Sequence, residues 1–203
     1  MSPATLLDPP PRSPSLADGR APLPFGNARL LMALALIAST MLFSGVIGGF
    51  IVLREGGGDW KSSATPVLPP LLTLNTFICL AASVALIAAH MAQRKGRAGA
   101  MRAGLAVAAL GAATFLALQG IVWRDLLAAG FRPKSNNFGG NFYLLTALHF
   151  AHAAAGLIFV LAALVPALRG RSPAAMSTRL WLAGMAWHFV DVAWLVIFVL
   201  LNA

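Results

Sequence analysis

Two pairs of ionisable residues sit inside long apolar segments. His149 and His152 lie three residues apart in the stretch Phe142–His152, and His188 and Asp191 lie three apart in Trp187–Trp194. Residues at i and i+3 share a helix face, so each pair would project from one side of its helix. Thr146 falls one turn before His149 on the same face, and Gly156 one turn after His152. Trp187 and Trp194, seven residues apart, also share a face.

Three readings compete for these residue types. Haem held between two histidines needs one on each of two helices at matching depth, and two haems need two per helix about four turns apart; spacing of three supplies neither. His149, His152, His188 and Asp191 are chemically adequate ligands for zinc or iron. The third reading is structural: a polar knot in which Asp191 accepts hydrogen bonds from His or Trp donors across a helix contact, each bond contributing ~0.6–2 kcal/mol. The structural reading is the simplest, and it makes His149, His152, His188 and Asp191 one cluster, supported by Thr146, Trp187 and Trp194. Buried carboxylates also relay protons. Asp191 is the only acid within an apolar span, and one acid does not make a path across a membrane.

The elements that must carry these residues are membrane helices. The chain has 203 residues, 59% hydrophobic and 10% charged. Charge-free or nearly charge-free runs cover Leu30–Leu53, Pro69–Gln93, Ala103–Trp123, Gly140–Leu168 and Leu180–Ala203. Each exceeds the ~20 residues that cross the hydrocarbon core, and helices satisfy their own backbone there where open strands cannot. The fold class is therefore an all-α integral membrane bundle of five transmembrane helices. A net charge of +9 does not indicate nucleic acid here, because the basic residues sit between the apolar runs. In those places they set topology and meet lipid head groups. The lone Cys79 excludes a disulfide framework and reads as a small buried hydrophobe.

Residues 1–28 carry seven prolines and form a proline-rich tail, extended or disordered, before the membrane domain of residues 29–203. No short apolar core with a cleavage site precedes the first span, so the tail is not a signal peptide. Ten of the 15 Lys and Arg residues fall on the side of the tail and the second and fourth loops, and five on the other. This places the N-terminus in the cytoplasm and the C-terminus outside. Gly45 and Gly49 in the first span, and Ala100, Gly104, Ala108 and Ala112 in the third, are small residues at spacing four, read as packing faces within the chain rather than a homodimer seam. His90, Trp60, Trp123, Trp181 and Trp187 lie near span ends and read as interfacial residues.

With these residues in view, a resemblance can be stated. Trp187-His188-Phe189-Val190-Asp191-Val192-Ala193-Trp194 resembles the last-helix signature of subunit III of the haem-copper terminal oxidases. Phe142–His152, with Gly156 beyond, is similar to the penultimate-helix motif of that family. Phe43-Ser44-Gly45 and Leu74-Asn75-Thr76 are looser matches, in the family's order, and together the motifs span residues 28–203.

The resemblance implies a non-redox accessory subunit with no catalytic residue, haem or metal of its own. It implies subunit I, holding the haems and copper, as main partner, and subunit II in the same complex. It further implies bound phospholipid, a stabilising role, support of proton uptake during oxygen reduction, and a multi-pass place in a bacterial inner membrane. The chain is similar to the short five-helix form, lacking two N-terminal helices that many members have. Two family glutamates are replaced, by Ser39 in the first helix and Val122 beside Trp123 in the third. Accessory subunits of quinol oxidases and nitric oxide reductases share this form. A reading of another class is an independent membrane metalloenzyme or transporter built on the His/Asp residues.

Overall fold

The computed structural model describes residues 25–56, 60–61, 65 and 68–202. It contains five long helices: α1 Phe25–Glu55, α2 Pro70–Arg94, α3 Ala98–Ala128, α4 Asn137–Leu168 and α5 Ser177–Asn202, with a 3-10 turn Ala174–Met176 before α5. All five are long and apolar enough to cross a membrane. No strand occurs among the described residues. The chain is a multi-pass membrane protein of five helices, as the charge-free runs predict.

Helix ends follow local chemistry. Pro70 occupies the first turn of α2, where a missing N–H costs nothing. The Asn136 side chain accepts from the Gly139 N–H at 2.7 Å and caps α4. Three helices stop in the same way, at the only described residues with positive φ: Gly96 (66°), Gly130 (82°) and Gly170 (85°). After each, a paired return of N–H groups closes the last turn, as in Gly96 N–H to Gln93 O and Arg97 N–H to Ala92 O. Only glycine enters this left-handed conformation without a side-chain penalty.

Most helices extend a few residues past the charge-free runs, α3 to Ala128, α4 back to Asn137 and α5 back to Ser177. Helix α1 starts at Phe25, so residues 25–28 of the expected tail are helical; residues 1–24 lie outside the described residues. Helix α3 starts at Ala98 and runs through the basic Arg102, which lies in its second turn.

Helices α2, α3, α4 and α5 pack in a ring in which each touches the next and α5 closes on α2, while α1 lies outside against α4 and α5. The α2–α3 contact is the tightest. A Cβ at Gly104 would come within 2.9 Å of both the Ala85 carbonyl oxygen and the Ala89 Cβ, and one at Gly111 within 2.9 Å of the Ala82 Cβ. On α4, Gly156 makes room for the Trp187 ring, 3.1 Å from where its Cβ would stand. Gly45 and Gly49 of α1 meet nothing within 4 Å. The expectation that this step packs within the chain is therefore corrected: α1 turns it away from the bundle, and the helix is held by Phe43 and Phe50 on its opposite side.

Candidate functional site

At the centre of the four-helix ring, one residue from each helix meets. Phe115 of α3, His149 of α4 and Trp194 of α5 are fully buried and mutually packed, with centroids 5.5 Å apart for Phe115–His149, 5.2 Å for Phe115–Trp194 and 4.8 Å for His149–Trp194. From α2, the Thr76 hydroxyl oxygen accepts from the Trp194 indole N–H at 2.9 Å. Asn75 Nδ2 donates to the Phe115 carbonyl at 3.2 Å. An indole contributes a large apolar body and one donor, so it suits a core that offers one acceptor. Neither His149 ring nitrogen has a hydrogen-bond partner among the described residues, and neither polar atom of Gln119 has one.

The other predicted residues diverge from this centre. His152 turns to α1: one ring nitrogen lies 2.8 Å from its own helix at the Leu148 carbonyl, the other 3.2 Å from the Ser39 hydroxyl, and Phe43 stacks at 5.0 Å. Thr146 turns to α3, accepting from the Trp123 indole at 3.0 Å while donating to the Phe142 carbonyl at 2.7 Å. His188 and Asp191 turn to α2, where His188 Nδ1 lies 3.3 Å from the Ser83 hydroxyl and Cys79 is the α2 neighbour of the Asp191 carboxylate. Asp191 is 7% exposed, and its Oδ1 has no partner among the described residues.

The expected single knot is thus corrected. His188 and Asp191 share a face, as their spacing requires, but that face looks at α2, and α4 meets α5 through His149 on Trp194. Helical periodicity fixes which residues share a face; it does not say which neighbour covers it. Trp187 is corrected as well. It is buried in the α4–α5 contact with its indole nitrogen unpartnered, not anchored at an interface. No group of three or more His, Cys, Asp or Glu among the described residues could hold a metal.

What sequence reasoning missed is the shared face of α2. Thr76, Cys79, Ser83, Ile87, His90 and Arg94 recur every three or four positions, the period of one helix face. Three of them form rungs with the antiparallel α5: Thr76 with Trp194, Cys79 with Asp191, and Ser83 with His188. Polar residues at helical spacing in α2 were the available signal.

Comparison of the sequence with known proteins points to a family. The sequence profile described as Cytochrome c oxidase subunit III matches residues 26–202. Cytochrome c oxidase subunit 3 of Thermostichus vulcanus is 30% identical over 167 residues, 82% of each chain. Cytochrome bo(3) ubiquinol oxidase subunit 3 of Pseudomonas aeruginosa is 28% identical over 173 residues, covering 85% of this chain and 83% of the relative. Cytochrome c oxidase subunit 3 of Alkalihalophilus pseudofirmus is 29% identical over 160 residues, 78% of each. A family match across all five helices, with relatives of similar length, leaves one conclusion: the chain belongs to the cytochrome c oxidase subunit III family of the haem-copper oxidases.

Proposed function

We propose that this chain is the accessory, non-catalytic subunit of a respiratory haem-copper oxidase in a bacterial inner membrane, with its N-terminus cytoplasmic. It packs beside the catalytic subunit I, in a complex that includes subunit II, and stabilises that core. Through this contact it sustains proton uptake while subunit I reduces oxygen. The haems and copper reside in the partners, and phospholipid fills the exposed grooves of this chain. The observation that carries the reading is the family match over residues 26–202. The interior supports it: the buried His149 packs against the Trp194 ring, and the half-buried His152 and His188 meet hydroxyls of α1 and α2.

A second reading, subunit III of a quinol oxidase, draws support from the Pseudomonas aeruginosa relative, which is named a ubiquinol oxidase subunit. One preparation tests both. The tagged chain, extracted in mild detergent, should bring with it a haem-bearing chain, and the complex should oxidise either reduced cytochrome c or ubiquinol. A stoichiometric Soret band from the isolated chain, or the lack of a haem-bearing companion, would sink the proposal.

A further inference from the structure

The α2–α5 seam ends in an opening. A pocket of about 270 Å³ lies at the C-terminal end of α2, lined by Ile87, His90, Met91, Arg94 and His188. A volume of that size admits several waters. His188 therefore has two neighbours at once: the pocket on one side and, one helical turn further along α5, the buried Asp191. From the pocket inward, the polar groups follow in order along the two facing helices: Arg94 and His90 at the mouth, His188 with Ser83, then Asp191 with Cys79. Beyond them the Trp194 ring, bonded to Thr76, closes the seam.

The geometry points to this seam as a proton-access path, by which Asp191 exchanges its proton with water on the Arg94 side of the membrane through His188, with His90 at the entrance. Imidazole suits the relay position because it accepts a proton at one nitrogen and releases one from the other. The transfer is proton exchange alone: a proton from pocket water passes to His188, and one from His188 passes, through a bridging water, to the Asp191 carboxylate, which stands beyond direct hydrogen-bond reach of the ring. No bond other than N–H and O–H changes. A carboxylate inside the bilayer with an oxygen lacking a partner is costly unless a proton or a donor reaches it.

The other titratable groups around Asp191 do not compete for this role. On α2 they are Cys79 and, farther along, His90 and Arg94. On α4, His149 lies against the far ring of Trp194, and His152 is directed to Ser39 of α1. The path leads to Asp191 and stops there, blocked by Trp194, so it is a half-path and not a channel. The inference goes beyond the assembly role proposed above, and its failure would leave that role standing.

The test is infrared spectroscopy of the purified complex in nanodiscs after a rapid change of pH or of H₂O for D₂O. The Asp191 carboxyl band is assigned as the one that Asp191→Asn removes. It should respond within seconds in the unaltered protein and at least tenfold more slowly in His188→Gln, where the amide can keep the contact with Ser83 but cannot carry a proton. His90→Gln, at the mouth, should slow it less and is the fallback should His188→Gln fail to assemble. An Asp191 band that ignores bulk pH and D₂O, or one whose rate neither histidine substitution changes, overturns the inference.

Discussion

Helix α1 and the four-helix ring use the same small-residue signal in opposite ways. In the ring, Gly104 and Gly111 let α3 approach the backbone and methyl groups of α2 so closely that no side chain fits between. In α1, Gly45 and Gly49, four residues apart, face open space, while the helix attaches by a few contacts on its other side. These are Phe43 on His152 and Phe189, Phe50 on Trp60, the Ser39–His152 contact, and Arg29 over the Trp181 ring. In lipid, apolar area gives no driving force between helices, so close packing and polar contacts decide how firmly a helix is held. The ring has both, along several seams; α1 has less of each.

The largest effect that would test this contrast is Gly104→Leu. The new side chain must displace the Ala85 carbonyl or the Ala89 methyl, and overpacking of this kind costs ~1–3 kcal/mol. Unfolding of the purified protein in graded sodium dodecyl sulfate should show the loss; a shift below ~0.5 kcal/mol would mean that α2 and α3 are not locked. Next is Thr76→Val, which strands the Trp194 indole N–H at the point where α2, α3, α4 and α5 meet. It should cost ~1–2 kcal/mol in the same measurement, and a neutral result would move Trp194 out of the core. Ser39→Ala removes the hydroxyl contact of α1 with His152 and should cost only ~0.6 kcal/mol. A double-mutant cycle with His152→Phe isolates it; coupling above ~2 kcal/mol would make α1 as firmly held as the ring. Smallest is Gly49→Leu, which should leave the stability of the chain unchanged within ~0.5 kcal/mol. A clear loss there would erase the contrast.

The five spans were legible because charge is excluded from hydrocarbon, and the runs between Arg29, Arg54, Arg94, Arg102 and Arg169 mark where exclusion begins and ends. The helix ends were less so. Helix α1 reaches back to Phe25 and α3 to Ala98, since a helix continues past the bilayer edge until a glycine or proline stops it. Of the site, the residue types and shared faces were readable, and the partners were not. Polar faces on α4 and α5 point to a contact between Asp191 and the histidines of α4; the weaker-looking groups of α2 are met instead, Cys79 by Asp191 and Ser83 by His188. The Gly45–Gly49 step shows the same limit, since spacing describes a face and only the bundle decides whether anything lies against it.

The turn at Lys95–Gly96–Arg97 bears on how the chain enters the membrane. Three residues join α2 to α3, and Gly96 folds the chain back within them. Asn75 donates to the Phe115 backbone of that adjacent helix, so its amide N–H finds an acceptor without waiting for α1, α4 or α5. A nascent α2–α3 hairpin that inserts as a unit carries this donor into hydrocarbon already paired. Neither helix alone could do so; the pairing needs only the two helices that the shortest loop joins.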